Sequence, residues 1–442
     1  MVKKLLDEKK FLELKEHLKE MNSPDIANML DEMTEENFII AFRLLDKDRA
    51  ADVFSYMEIE RQQYLIENIK VGEIENVINS LFLDDAVDFL EEMPANIVKR
   101  VLKVIPPERR SKINKLLKYP DDSAGSLMTV EFMSLKKGMT VKEALQVIRS
   151  TGEDSVSINI CFITDKTRKL EGTLSLRDIV LAREDEIIEE LMEKSPVTVQ
   201  TVDDQEDVIK TFKKYDLDLI AVVDKEEKIV GVITVDDVID ALEEENTEDI
   251  QKMNALEPME TEYKKTGVFT LARHRIVWLF VLMISATFTG RVIGRYENVL
   301  ESAVILATFI PMLMDTGGNA GAQSSSLIIR GLALGEIEKK DWYKIVFKEM
   351  RVGVLVGFGL ATANFIRLAF FEKVDPMVAL AVCSTLVFTV TTAKTMGGLL
   401  PVIAKTLKLD PAMMAAPLIT TIVDTISLMI YFFFATKFLN LV

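Results

Sequence analysis

The stretch APLITTIVDTISLMIYFFF, residues 416–434, places one carboxylate, Asp424, near the middle of an otherwise apolar and hydroxyl-bearing run. An ionised side chain at membrane depth costs roughly 3 kcal/mol or more unless water, a partner or an ion repays it. This run is one of five such segments, at about 269–294, 299–334, 345–371, 377–404 and 411–439. Each is long enough to cross a hydrocarbon core of about 30 Å. A chain carrying them has to fold as a helical membrane bundle, with its few polar side chains turned toward protein or a hydrated interior.

Charge divides the chain in two. Residues 266–442 hold 16 basic and 11 acidic side chains, whereas residues 1–265 hold 37 and 59. A strongly acidic hydrophilic half on an apolar half predicts a soluble body joined to a membrane domain. It excludes nucleic acid as a partner and favours cations. The start, MVKKLLDEKKFLELKEHLKEM, is charged and amphipathic without an apolar core, so it reads as no signal peptide. Arg273, His274 and Arg275 precede the first span, Lys339, Lys340, Lys344, Lys348 and Arg351 follow the second, and Lys405 and Lys408 precede the fifth. Arg291 and Arg295 run against this bias. On balance it predicts a cell-membrane protein with the N-terminal half in the cytoplasm and the C-terminus outside. Cys161 and Cys383 are the only cysteines, too few for a disulfide framework or a thiolate metal site.

In the first 120 residues Met21, Met33, Leu45, Met57, Ile69, Leu81, Met93, Ile105 and Leu117 recur every 12 positions, each closing a short amphipathic segment. Two-turn helices stacked as a small solenoid are the expectation. Residues 126–250 alternate strand and helix in two similar halves, with the strand pairs SINICFITDKTRKLEGTLSL and LDLIAVVDKEEKIVGVITV. Ser175 and Thr234 stand where helix N-caps belong, three residues before Asp178 and Asp237. GTLSLRD (172–178) and GVITVDD (231–237) resemble the paired signature of a CBS tandem, a regulatory module. The resemblance implies an adenine nucleotide such as ATP near Arg177 and Asp178; simple helix capping is the alternative.

Three constellations bear on chemistry. In PMLMDTGGNAGAQSSSLIIRG, residues 311–331, Asp315, Asn319 and Gln323 recur every four residues among Gly317, Gly318 and Gly321. A helix broken at the glycines, its carbonyls lining a hydrated path, is the expectation; tight small-residue helix packing is the alternative. In the fifth span Thr420, Thr421, Asp424 and Ser427 form a polar stripe, leaving Leu428, Tyr431 and Phe432 to Phe434 to meet lipid. In a two-fold dimer two copies of Asp424 would meet, and a cation between them would relieve their repulsion. Oxygen ligands without Cys or His suit hard cations, magnesium above all, bound through its waters. Finally, DDVIDALEEENTEDIQKM holds eight carboxylates and no base from Asp236 to Asp249. Such a stripe is either a solvated face or, leading into the first span, a cation sensor.

YPDDSAG (119–125), the two CBS signatures, TGGNAGAQS (316–324) and DPAMMAAPLITTIVD (410–424) together resemble the MgtE family of bacterial magnesium channels across nearly the whole chain. The resemblance implies a multidomain membrane protein: an all-α helical-repeat N domain (1–122), an α/β CBS pair (123–242, halves about 126–192 and 193–242), an acidic plug helix (243–266) and a five-span transmembrane domain (267–442). It also implies a homodimer closed by cytosolic Mg2+. By motif position the pore carboxylate is Asp424, with Gly317, Gly318, Asn319 and Thr420 lining the pore. The sensor acids are Asp84, Asp88, Asp204, Glu206, Asp216, Asp237, Asp240, Glu245, Glu248, Asp249 and Asp410, with Asp52 also a candidate. Ala322 and Ala416 depart from the family pattern, and Asp315 adds a carboxylate to it. A Mg2+ channel is therefore the expectation. The alternatives are a channel that also passes Co2+ or Mn2+, an H+- or Na+-coupled carrier, and a membrane-anchored nucleotide regulator. No nucleophile–base pair or Walker loop points to an enzyme.

Overall fold

The computed structural model describes residues 2–259, 263, 266–414 and 416–440. They form two compact units, 1–242 and 243–442.

The first unit opens with ten short helices among its described residues: α1 (Val2–Asp7), α2 (Phe11–Glu20), α3 (Ser23–Asp31), α4 (Glu35–Phe42), α5 (Lys47–Ser55), α6 (Ile59–Asn68), α7 (Val71–Ser80), α8 (Leu83–Glu92), α9 (Ala95–Leu102) and α10 (Pro107–Leu116). The 12-residue apolar positions sit where helices end. Ile69, Leu81 and Met93 are buried C-caps with extended backbone, which turns the chain into the next helix. Packing skips a helix: α5 lies against α3 and α7, α7 against α9, and α8 against α6 and α10. Arginines staple these layers by donating to carbonyls left open at helix ends. Arg49 reaches Lys19 O at 3.1 Å, Arg100 reaches Ile69 O at 2.9 Å, and Arg109 reaches Leu81 O at 2.6 Å.

The α/β part has two sheets of matching plan. In the first, β1 (Ser134–Lys136) runs parallel to β2 (Ile160–Thr164), which pairs antiparallel with β3 (Leu170–Ser175) and then β4 (Glu193–Lys194). The second repeats this with β5 (Thr198–Gln200), β6 (Leu219–Val223) and β7 (Ile229–Thr234). The halves even share a register shift, at Ile163/Thr164 and at Val222/Val223. Helices α11 (Val141–Thr151), α12 (Leu176–Leu181), α13 (Ile188–Leu191) and α14 (Gln205–Tyr215) cover the sheets, and α15 (Val235–Met253) follows β7 without a break.

In the second unit α16 (Val268–Arg295), α17 (Glu297–Ser302), α18 (Ile310–Ala333), α19 (Trp342–Ile366), α20 (Pro376–Thr406) and α21 (Ala416–Leu439) follow. Among the described residues four helical stretches, Val268–Arg295, Lys339–Glu372, Pro376–Thr406 and Pro411–Leu439, are long and apolar enough to cross a membrane. The polar α18 packs between α20 and α21.

Two expectations are corrected here. α18 is not broken at its glycines: it is helical from Ile310 to Ala333, with Pro311 tolerated in its first turn, and the irregular segment lies upstream, where residues Val304–Phe309 form a 3-10 turn. The glycines serve close helix crossing instead. A Cβ on Gly397 of α20 would fall 2.2 Å from Gly321 O, and one on Gly318 would fall 2.8 Å from Thr420 Cγ2. The face of α21 assigned to lipid is also largely core. Leu428, Tyr431 and Phe432 are buried, the Tyr431 hydroxyl donates to Leu306 O at 2.9 Å, and Tyr296 stacks on Phe432. α21 meets α16, α18 and α20, so only side chains such as Met429 and Phe433 stay exposed.

Candidate functional site

In the first unit α8 begins LDDAVD, and its helical spacing gathers Asp84, Asp85 and Asp88 near the start of α15. Asp84 is buried, and its Oδ1 has no hydrogen-bond partner. Burial, then the neighbouring Asp85, pushes Asp84 up to about 7. Burial and Asp237 push Asp85 up to about 6. Asp88 keeps an open side to solvent, yet desolvation, Asp84 and Asp237 push it up to about 8. Asp237 is raised to about 7 by burial and Asp84, against a lowering hydrogen bond from Thr234. Four acids with such shifts are a site short of positive charge. The fit to a cation is electrostatic: among the described residues no three acid, His or Cys side chains converge as a ready-made metal cage. Asp85 was not singled out from sequence, although its neighbours were; its i+1 spacing from Asp84 hid it.

The other soluble candidates have local roles. Asp204 caps α14 by accepting from Glu206 N at 2.9 Å, Glu206 holds Lys210 at 2.8 Å, and Asp216 ends that helix with a left-handed backbone, φ 49°. Ser175 caps α12, accepting from Asp178 N at 3.1 Å and donating to Asp178 Oδ2 at 2.6 Å. Arg177 and Asp178 are both exposed at that turn, a placement compatible with a phosphate and a ribose hydroxyl. Asp52 contributes to the field on Asp85, and Asp240 is exposed on α15.

In the second unit the acids of α15 meet a base just beyond the acidic run. Lys252 Nζ lies 2.5 Å from Glu248 Oε1 and 2.7 Å from Asp410 Oδ2. Burial opposes the Lys252 charge, but the hydrogen bonds it donates to Asp410 and Glu248 outweigh it and raise its pKa. Glu245 and Asp249 are half-buried on the same helix. Asp410 also accepts from Ala412 N at 2.8 Å, which fixes the entry to the last span.

Asp424 is half-buried on α21 and makes no hydrogen bond or ion pair among the described residues. Among the described residues the one charged group acting on it is another acid, Asp315 of α18. Asp315, Asn319 and Gln323 lie along one exposed polar stripe of α18. Gly317 and Gly318 are buried on the opposite side, against Thr389, Val423 and Thr420, and Thr420 Oγ1 donates to Pro417 O at 2.9 Å. Nearby, the buried hydroxyls of Thr389 and Ser427 have no partner among the described residues. Ala416 opens α21, but its side chain lies outside the described residues. Sequence reading missed two buried charged side chains in this bundle, Glu349 of α19 and Lys394 of α20, because their burial comes from packing against other helices.

Comparison with known proteins agrees in every block. Family models match at residues 5–122 (MgtE intracellular N domain), 124–185 and 188–244 (CBS domain) and 310–434 (MgtE, divalent cation transporter). The chain is 35% identical to the magnesium transporter MgtE of Thermus thermophilus, over 95% of this chain and 93% of that one. It is 31% identical to the magnesium transporter MgtE of Bacillus subtilis, over 99% of this chain and 96% of that one. A crystal structure of the cytosolic domain of the Mg2+ channel MgtE in complex with ATP matches with a TM-score of 0.52 at 33% identity, covering 54% of this chain and 98% of that one. The soluble part of a magnesium transporter also matches with a TM-score of 0.52, at 26% identity, covering 55% of this chain and 96% of that one. The chain belongs to the MgtE family of magnesium transporters, which are not enzymes.

Proposed function

We propose that this protein is a Mg2+-selective channel that admits magnesium down its electrochemical gradient and is closed by cytosolic Mg2+. The observation that carries the proposal is Asp424, a carboxylate at membrane depth that is unpaired among the described residues and whose one charged neighbour among them is a second acid. Two acids without a base attract cations, and hydroxyl and amide neighbours hold the waters of a hydrated ion.

In this reading α18 completes the second of five spans, and its exposed polar stripe is covered by a second copy of the chain, so that two Asp424 carboxylates share one hydrated ion. The N-terminal half faces the cytoplasm and the C-terminus lies outside. Asp84, Asp88 and Asp237, with Asp85, form one cytosolic sensor, where a divalent ion offsets acids that now hold protons near neutrality. Glu245, Glu248, Asp249 and Asp410 form a second beside the first span. Asp204, Glu206, Asp216 and Asp240 complete the acidic surface. A related cytosolic domain was solved in complex with ATP, which supports an adenine nucleotide at Arg177 and Asp178.

The test is Mg2+ entry into liposomes containing the full chain. Asp424→Asn is expected to abolish it; entry at the wild-type rate through that variant overturns the proposal. A flux that requires an imposed pH or Na+ gradient would replace the channel by a coupled carrier.

A further inference from the structure

The proposed ion path has an acidic level, formed by Asp315 and Asp424, and one buried base that no role yet explains. Lys394 of α20 is only 6% exposed. Lysines are rarely buried to this degree without a partner of opposite charge. Among the described residues Lys394 forms no ion pair within 4 Å, and its one hydrogen bond is from Nζ to Gln323 Oε1, at 3.3 Å. The nearest family of buried polar groups does not take up its charge. Glu349 of α19, 8% exposed, accepts from Ser324 Oγ at 2.5 Å and lies beside Gly398.

Gln323 is the third member of the exposed stripe after Asp315 and Asn319, two helical turns from Asp315 and displaced toward the C-terminal end of α18. Its amide has a single atom able to ligate a hard cation, the carbonyl oxygen. Lys394 donates to that oxygen, taking one of its two lone pairs and setting a positive charge against any cation that would use the other.

We propose that the buried charge of Lys394 is specificity-determining: it disfavours cation ligation by Gln323 and sets an electrostatic step on the inward side of the Asp424 level. Repulsion by a fixed charge scales with ion valence, so the step weakens divalent occupancy there about twice as strongly, in energy, as monovalent occupancy. It thereby confines binding to the Asp315–Asp424 level and speeds release toward the C-terminal end of α18, in line with the need of a conducting site to bind without trapping. This inference rests on the channel reading above.

The experiment compares wild type, Lys394→Gln, Lys394→Arg and Gln323→Ala as full chains in liposomes, with Mg2+ and Na+ entry each measured over a range of concentrations. Lys394→Gln is expected to lower the Mg2+ concentration for half-maximal entry at least about tenfold, the scale of one unit charge acting on a divalent ion across a protein interior. Na+ should shift less, and Lys394→Arg should stay near wild type. Gln323→Ala, which removes the amide and keeps the charge, should shift the Mg2+ value in neither direction by more than about twofold. The inference is overturned if Lys394→Gln and Lys394→Arg lose maximal entry alike with half-saturation unchanged, which marks a purely structural lysine. It is equally overturned if neither variant changes the Mg2+ value or if Na+ shifts as much as Mg2+. Wild-type entry that survives Asp424→Asn would instead sink the channel reading itself, so the two failures are distinguishable.

Discussion

At the scale of single residues, charge placement separates candidates that composition treats alike. Asp315 acts electrostatically on Asp424, and among the described residues no base pairs with either, whereas Glu248 and Asp410 share Lys252. Asp315→Asn is therefore expected to weaken Mg2+ entry while preserving it, because Asp424 remains, and concentration-dependent uptake distinguishes this from the complete loss expected of Asp424→Asn. Asp424 was legible in the sequence because a carboxylate in an apolar run is conspicuous. Lys394 was not, since its meaning depends on Gln323, 71 positions away and on another helix.

At the scale of elements, the helix crossings of the membrane unit rest on glycine. A Cβ added at Gly397, where α18 and α20 cross, would overlap the Gly321 carbonyl, and one added at Gly353, where α19 and α20 cross, would fall 2.7 Å from Thr391 Cα. Backbone cannot yield as a flexible side chain does. Gly397→Ala should cost about 1–3 kcal/mol or more by forcing the helices apart, read as a lower thermal midpoint in detergent than Gly359→Ala, where a Cβ meets nothing within 4 Å. Lys252 makes the corresponding electrostatic joint between the end of α15 and the start of the last span. Lys252→Met leaves Glu248 and Asp410 without their shared cation, so protease nicking near residue 253 should rise in metal-free protein and fall again with Mg2+. The solenoid helices and the two βαβ-like halves were readable because period 12 and period 2 are local signals. The continuity of α18 was not: glycine has the same sequence signature whether it breaks a helix or admits a neighbour.

At the scale of the whole molecule, the acids of α8 and α15 make the first unit sensitive to pH and, in the proposed reading, to divalent ions. Asp84, Asp85, Asp88 and Asp237 hold protons up to about 7, 6, 8 and 7, against an ordinary value of 3.8. The folded unit thus binds more protons than the unfolded chain between those limits. Its metal-free stability should decline as pH rises from about 4 and level off above about 8. Mg2+ replaces the lost protons, so its protection of the full chain against trypsin should be small at about pH 5 and largest above about pH 8. Asp88→Asn should flatten the dependence; an equal Mg2+ effect at both ends would remove these acids from sensing. What could be derived from residue order alone was the set of local and compositional facts: five apolar runs, a repeating helical block, a duplicated α/β block and an acid at depth, since each is written in neighbouring residues. Which acids lack a base, which glycines clasp a neighbouring helix and which lysine stands behind the polar stripe were decided by packing, because electrostatic and steric fields sum over groups close in space, however far apart they lie along the chain.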